Sequence, residues 1–393
     1  MKGFMRQRGA SWELRVFLGR DPVTGKKRYA TKTVRGGKRE AQSALAAMIT
    51  EAERGSMART TATVGELLDT WFEFAAPDFS PKTVKETRGY IDRSLMPTLG
   101  ARLLSKLKPA DLDAFYRQLL ASGGAGGRPL APGTVRRIHG ILRRALNQGV
   151  KWGWLGVNPA TATTPPRVPV SDIKPPSAEA LGRVLRRAES ESPDLHCYLM
   201  LAAATGARRS ELIALRWSDV DSASATVSIE RGIVEGPDGL VEKGTKTHSA
   251  RRVSLDARTA SALEEHHARM AGRATACRVP MATDAFVFSN AADASAPWFP
   301  DSVSRSFKRL CAKEDVPDVR LHDLRHFVAT QLLSAGVDVR TVAGRLGHRN
   351  ASTTLNVYAH FVEQADRGAA DVMGGVLNRP GEVDGESDAP PGF

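Results

Sequence analysis

The sequence from Leu346 to His360 reads LGHRNASTTLNVYAH. It contains a Gly-His pair, Gly347-His348, and one tyrosine, Tyr358, ten residues after that histidine. A tyrosine among apolar residues usually packs in a core, because its ring is large and mostly apolar. The stretch by itself therefore does not separate a packing residue from a nucleophile, and its meaning depends on other segments of the same half of the chain.

Two earlier segments carry polar residues that an amphipathic pattern does not need. In TGARRSEL, which starts at Thr205, Arg208 and Glu211 are three residues apart, so we expect them on one helical face near a helix start that favours an anion. In HDLRH, His322 and Arg325 have the same spacing, so both can point at one bound group. Either segment alone is typical of an ordinary helix.

Taken together, the order Arg, His-x-x-Arg, Gly-His and Tyr resembles the tyrosine recombinase (phage integrase) family, in the form found in actinobacterial phages with an N-terminal arm-binding domain. Lys246, in GTKTHSARRVSL from residue 244 to 255, matches the hairpin lysine of that family. The family usually has proline where this chain has Ser254, so the register of the hairpin stays open and Lys243 is the competing lysine.

The resemblance implies that Tyr358 attacks a DNA phosphodiester and forms a 3′-phosphotyrosyl link. Guanidinium groups suit the phosphate, because they bind two oxygens at once and do not titrate. A phenol has a pKa near ~10, so the nucleophile must lose its proton as it attacks. The implied catalytic residues are Arg208, Lys246, His322, Arg325, His348 and Tyr358. Lys246 would protonate the leaving 5′ oxygen, His322 and His348 would bind the phosphate, His322 could also take the phenol proton, and Glu211 would orient the site without reacting.

The composition agrees with a nucleic-acid partner. The 393 residues carry 56 Lys and Arg against 43 Asp and Glu, a net charge of +13, and such a basic excess indicates a polyanion. Residues 1–61 alone hold 14 basic and 5 acidic residues. Three widely spaced cysteines and short apolar runs predict a cytoplasmic protein outside the membrane. With DNA as its partner, we expect it to be associated with the nucleoid. The chemistry that the resemblance implies requires neither ATP nor a metal, so we expect no cofactor, and the lack of P-loop, H-E-x-x-H and paired-cysteine motifs agrees with this.

The chain is long enough for two to four domains, and the predicted fold class is multidomain, mainly α with small β-sheets. Residues 1–57 are predicted as an arm-type DNA-binding domain, a small basic sheet covered by a helix, and 62–160 as a helical, SAM-like core-type DNA-binding domain that opens on a capping box at Thr63 and Glu66. The prediction continues with a Pro-rich linker at 161–176, a mostly helical catalytic domain at 177–372 and a disordered acidic tail at 373–393.

The candidate DNA-binding residues are Arg15 and Arg28 in the sheet and Arg136, Arg137, Arg143 and Arg144 on one face of a helix. A merely solvated basic face remains the alternative for both groups.

The predicted function is site-specific integration of a phage or other mobile element into a host chromosome. The predicted partners are double-stranded core and arm attachment sites, a tetramer of this chain that exchanges strands through a Holliday junction, an excisionase and a host DNA-bending protein. The alternatives are a type IB topoisomerase, a chromosome-resolving recombinase and a DNA-binding regulator built on an inactive recombinase fold. The arm-like domain favours an integrase, and the presence of every catalytic position disfavours the regulator.

Overall fold

The computed structural model describes residues 3–53, 60–169, 175–244, 250–316, 318–347, 370, 371, 373–375 and 377. The chain forms two compact units. One comprises residues up to 171 together with 236–238, and the other comprises the remaining residues from 172 onward. The finer division into five segments stays a prediction.

The first unit begins with a three-stranded antiparallel sheet in the order β1 (Gly3–Arg8), β2 (Ser11–Arg20) and β3 (Lys27–Arg35). Side chains alternate along β2, so that Leu14, Val16 and Leu18 are buried on one side. Helix α1 (Lys38–Glu53) covers that side with Ala41, Met48 and Ala52. The opposite face of the sheet is left uncovered by this helix, as the sequence predicts.

Five helices follow in the same unit: α2 (Val64–Ala75), α3 (Pro81–Tyr90), α4 (Met96–Leu99), α5 (Pro109–Ser122) and α6 (Pro132–Lys151). The predicted capping box is present, because the Glu66 amide donates to the Thr63 hydroxyl at 3.2 Å and the Thr63 amide donates to the Glu66 carboxylate at 2.7 Å. The apolar faces of the helices share one core, to which α6 contributes Ile138, Ile141 and Leu142.

The second unit is mostly helical and contains two small sheets. Its elements are α7 (Ala178–Glu191), α8 (Pro193–Thr205), α9 (Arg209–Ile213), β4 (Val220–Asp221), β5 (Thr226–Ile229), β6 (Arg231–Gly236), β7 (Gly239–Gly244), β8 (Arg251–Ser254), α10 (Ala257–Ala276), α11 (Pro300–Lys313), α12 (Asp323–Ser334) and α13 (Val339–Leu346). The strands form a β4-β5-β8 sheet and a β6-β7 hairpin. Helix α8 is buried along most of its length and packs against α7, α10 and α12.

This architecture confirms the predicted fold class, mainly helical with small antiparallel sheets. Residues 373–375 and 377, the described part of the predicted disordered tail, are helical. Met373 and Leu377 are apolar, and the Pro and acidic residues of the predicted tail all follow Arg379, although Gly374 and Gly375 precede it.

Candidate active site

The candidate site is built on the turn between α8 and α9. Helix α8 ends at Gly206, which has the left-handed conformation with φ 63° and whose amide bonds to the Ala202 carbonyl. A Cβ at Gly206 would lie 2.4 Å from a methyl carbon of Leu346. Glycine therefore serves twice here, because it permits the positive φ and lets α13 pack closely on the turn.

Arg208 follows that turn and precedes α9. Its backbone is extended, with φ −71° and ψ 150°, so it caps the helix and is not part of it. The Arg208 amide donates to Glu211 Oε2 at 2.9 Å and its Nη1 donates to Glu211 Oε1 at 2.7 Å, while Nη2 donates to the Gly347 carbonyl at 3.3 Å. The sequence correctly predicts that Arg208 and Glu211 are neighbours, but the helical face proposed as the reason is wrong, because the contact comes from a cap.

Glu211 is the buried acid of the site, with only 3% of its surface exposed. It accepts from two arginines, since Arg251 Nη2 donates to its Oε2 at 2.6 Å in addition to the bonds from Arg208. Burial acts to raise the pKa of Glu211, but the bonds from Arg251 and Arg208 outweigh burial and hold that pKa below its usual value. Glu211 is therefore a carboxylate at neutral pH and fixes the position of both guanidiniums.

The second predicted pair lies at the start of α12. Arg325 is almost fully buried, and its Nη1 donates to the Gly206 carbonyl at 2.8 Å, on the turn that precedes Arg208. His322 stands just before the helix, with its ring 5.1 Å from that of His326. Partial burial, followed by the charges of His326, Arg325 and Arg208, lowers the pKa of His322. A neutral imidazole at neutral pH can accept a proton.

The structure brings Arg208, Glu211, His322 and Arg325 together around the α8–α9 turn. Gly347, the glycine of the Gly-His pair, ends α13 with φ 69° and accepts a hydrogen bond from Arg208. Lys246, His348 and Tyr358 lie outside the described residues. The competing Lys243 lies in β7 and is half-buried. Their assignment stays a prediction.

Sequence reasoning missed two arginines that help to build the site. Arg251, at the start of β8, bonds to Glu211 and donates through Nε to the Arg345 carbonyl at 2.9 Å. Arg345 in turn donates through Nη2 to the Ala204 carbonyl at 2.8 Å and to the Ser254 carbonyl at 3.1 Å. A signal for Arg251 was present, because strand alternation places it on the same side as the buried Val253.

The candidate DNA-binding arginines are placed unevenly. Arg15 is exposed on the free face of the N-terminal sheet, with its guanidinium carbon 4.1 Å from the centre of the Tyr29 ring. Arg28 is half-buried and lies one residue before Tyr29, so it points to the side covered by α1. On α6 the whole predicted stripe is exposed: Arg136, Arg137, Arg143 and Arg144. Three of these side chains have contacts: Arg136 Nη1 donates to the Pro166 carbonyl at 3.4 Å, Arg137 Nη1 lies 3.9 Å from Glu86, and Arg144 Nε donates to the Gly140 carbonyl at 3.2 Å.

Within the described residues there is no group of three or more His, Cys, Asp or Glu side chains placed to hold a metal ion. Over the same part of the chain, no helix has the length and apolar character needed to cross a membrane.

Comparison with protein families matches residues 175–364 to the phage integrase family and residues 63–120 to the N-terminal SAM-like domain of phage integrases. The first match contains the α8–α9 turn and all the predicted catalytic positions. The chain belongs to the phage integrase family. This confirms the resemblance that the order of Arg208, His322, Arg325, His348 and Tyr358 indicates, and the enzyme is a tyrosine site-specific recombinase.

Individual relatives of this phage integrase family member extend the likeness over most of its length. An integrase of Streptomyces ambofaciens is 27% identical over 391 residues, which cover 94% of each chain. The Tn1549 transposon integrase, solved in complex with transposon right end DNA, has a TM-score of 0.66 at 19% identity and covers 79% of this chain and 99% of its own. A lambda integrase tetramer bound to a Holliday junction has a TM-score of 0.57 at 17% identity and covers 88% of this chain and 96% of its own. At these identities the two structures establish the likeness of fold.

Proposed function

We propose that this phage integrase family member is a site-specific DNA integrase that cuts and rejoins DNA through a 3′-phosphotyrosyl intermediate and inserts a phage or other mobile element into a host chromosome. The observation that carries the proposal is the convergence of Arg208 and Arg325 on one turn, with His322 beside them. Arg208 follows this turn and Arg325 donates to its Gly206 carbonyl, so two guanidinium charges lie at one turn, where they can bind one phosphate and also act on His322.

The reaction assigns a separate task to each side chain. Arg208 retains a quarter of its side-chain exposure and can reach a phosphate, whereas the nearly buried Arg325 stabilises the turn and adds its charge from below the surface. Negative charge grows on the nonbridging oxygens as the phenol attacks, and fixed guanidiniums stabilise it without titrating. His322, whose pKa is lowered, is in the protonation state needed to accept the phenol proton.

The remaining roles rest on the order of the motif. Tyr358 supplies the attacking oxygen, His348 donates a further hydrogen bond to the phosphate, and Lys246 protonates the departing 5′ oxygen. The phosphotyrosyl bond that forms replaces the phosphodiester bond that breaks, so the 5′ hydroxyl of a second strand can reverse the step. Neither nucleotide hydrolysis nor a metal ion is needed for this balance of bonds.

Other parts of the chain would hold the DNA. The free face of the N-terminal sheet combines the Arg15 guanidinium with the Tyr29 ring, and the exposed arginine stripe of α6 offers four positive charges to the backbone. We assign these two surfaces to arm and core attachment sites. Arg28 is the weakest candidate, because its side chain points to the helix-covered side.

The partners and location follow from the same chemistry. Exchange between two duplexes requires four cuts, which suits a tetramer of this chain on a Holliday junction, and the similarity to the lambda tetramer supports that assembly. An excisionase and a host DNA-bending protein would set the direction of the reaction, and the protein would act on the nucleoid in the cytoplasm. A topoisomerase is disfavoured by the separate basic sheet at the N-terminus.

The test is a duplex core site nicked near the cut, labelled at either end and incubated in EDTA without nucleotide. We expect covalent capture of the strand with a 3′ phosphate on Tyr358, identified by mass spectrometry of the trapped peptide. A 5′ linkage, an adduct on another residue or an absolute need for magnesium would contradict the mechanism. Recombination between two defined sites, followed by sequencing of the products, separates integration from simple relaxation of DNA.

A further inference from the structure

We propose that Arg251 is a positioning residue of the recombinase, which holds Arg208 in place through Glu211 and joins β8 to α13. The inference rests on the proposed function, because it concerns how the phosphate-binding arginine is oriented.

The first step of the argument is the bond between Arg251 and Glu211. Only 7% of the Arg251 side chain and 3% of the Glu211 side chain are exposed, and their atoms Nη2 and Oε2 are 2.6 Å apart. Oε2 also accepts from the Arg208 amide, and Oε1 accepts from Arg208 Nη1. One carboxylate therefore binds both arginines, and a movement of Arg251 changes the group that orients Arg208.

The second step is the contact of Arg251 with α13. Its Nε donates to the Arg345 carbonyl, and its guanidinium lies so close to Gly347 that a Cβ built there would be 2.7 Å from Nη1. The Gly347 carbonyl is also the acceptor of Arg208 Nη2. Arg251 and Arg208 thus contact the same glycine, and Arg251 connects three elements that are far apart in sequence: β8, α9 and α13.

The third step is the cost of a missing partner. A buried carboxylate is stable only when it is paired, and burial is the largest influence on the pKa of Glu211. The charged groups that bond to Glu211 are Arg251 from β8 and Arg208 from the start of α9, and the charge of Arg208 also acts on His322. Without Arg251, the pKa of Glu211 rises, and a protonated Glu211 no longer holds Arg208 as firmly.

The experiment compares the wild-type protein with Arg251→Met in single-turnover cleavage of a core-site duplex. Arg252→Met is the matched control, because Arg252 is the next residue of the same strand, 57% exposed, and bonds to Asp221 and Thr226 away from the site. We expect Arg251→Met to lower the cleavage rate about 10- to 100-fold, the range found when groups that orient ligands are removed. The control should cleave at the wild-type rate, and the Kd for DNA should change little in both variants.

Further readouts distinguish positioning from a loss of folding. The ratio of the Arg251→Met rate to the wild-type rate should fall as the pH is lowered, because Glu211 gains a proton in the variant. When both proteins also carry Glu211→Gln, the ratio of their rates should be independent of pH. The rate loss should also shrink in that background, and Arg251→Lys should recover part of the rate. Thermal melting and DNA binding of each variant show whether it is folded.

A substrate with sulfur as the 5′ leaving atom tests whether Arg251 acts instead on protonation of the leaving group, the task proposed for Lys246. A thiolate leaves without a proton, so this substrate restores cleavage to variants that lack only the general acid. We expect no restoration for Arg251→Met. Restoration, an equal loss in wild-type and Glu211→Gln backgrounds, or a wild-type rate in folded Arg251→Met would each overturn the inference. Failure of the wild-type protein to form any adduct would instead overturn the proposed function.

Discussion

Replacement of Arg208 by lysine tests the part of the site on which the proposed reaction most depends. Arg208 makes two side-chain hydrogen bonds through different nitrogens, to Glu211 at 2.7 Å and to the Gly347 carbonyl at 3.3 Å. Lysine has one nitrogen and no planar fork, so it can keep the bond to Glu211 or contact a phosphate oxygen, but it cannot do both in the geometry of arginine. We therefore expect Arg208→Lys to fold and bind DNA but to cleave poorly.

The size of the effect follows from the bonds that are lost. A donor that acts on charge developing in the transition state contributes about 2.7–4 kcal/mol, or about 10²–10³ in rate. In the ground state, one bond to a charged group contributes about 1.5–3 kcal/mol, and lysine retains part of that through Glu211. The loss should thus appear in the cleavage step, with a smaller loss of thermal stability and little change in Kd, since many other contacts hold the duplex.

The assay is single-turnover cleavage of the nicked core-site duplex, with Kd measured in parallel by fluorescence anisotropy. Arg209→Lys is the control, because Arg209 points to α11 and bonds to the Pro300 carbonyl at 3.1 Å and to Ser304 at 2.7 Å. Cleavage by Arg208→Lys within a few fold of wild type would refute the reasoning. It would be refuted equally if Arg209→Lys lost more activity than Arg208→Lys.

Three further predictions concern the nucleophile, the proton acceptor and the N-terminal sheet. Tyr358→Phe removes one oxygen with little change in ring volume, so site binding should persist and covalent capture on the nicked duplex should vanish; an adduct in this variant would assign the nucleophile elsewhere. The single-turnover cleavage rate should fall as pH drops through the lowered pKa of His322, because the protonated ring cannot accept the phenol proton. His322→Gln should cleave more slowly and should not show this fall in rate at low pH. If the fall in rate is unchanged in the variant, His322 is not the base. Deletion of residues 1–61, which hold 14 basic residues, should abolish or bias integration in a two-site assay but spare core-site cleavage. It should also reduce the salt dependence of DNA affinity. Integration equal to that of the full chain at moderate salt would contradict the arm-binding role.

The fold was largely predictable because local signals agreed with it. Alternation at Leu14, Val16 and Leu18 predicted the N-terminal sheet, and the capping box at Thr63 and Glu66 marked the first helix of the next domain. These features depend on residues close together in sequence, where period and capping chemistry act directly. The helical residues 373–375 and 377 lie in the segment predicted as a disordered acidic tail, whose Pro and acidic residues all follow Arg379.

The candidate site was predictable as a set of residue types but not as a set of contacts. The sequence pairs Arg208 and Glu211 for the wrong local reason, since Arg208 precedes the helix, and it gives no sign that Arg325 Nη1 donates to the Gly206 carbonyl. Arg251 is 40 residues from Glu211 in sequence. No local pattern reports a contact over that distance, because it arises from the tertiary arrangement that places Arg251 of β8 beside Glu211 of α9.

The charges around the α8–α9 turn are arranged to receive a phosphodiester. Arg208 and Arg251 share the carboxylate of Glu211, while Arg325 and Arg345 bind backbone carbonyls of Gly206 and Ala204, which carry no net charge. The cluster therefore holds more positive than negative charge. Burial and then the charges of His326, Arg325 and Arg208 lower the pKa of His322, and burial lowers the pKa of Arg345. A phosphodiester brings the missing negative charge to the exposed side of Arg208, and the charge that develops during attack is stabilised further. Because Glu211 is held from both β8 and α9, this excess charge is kept in one arrangement before the phosphate arrives, so little reorganisation is needed when the phenol attacks.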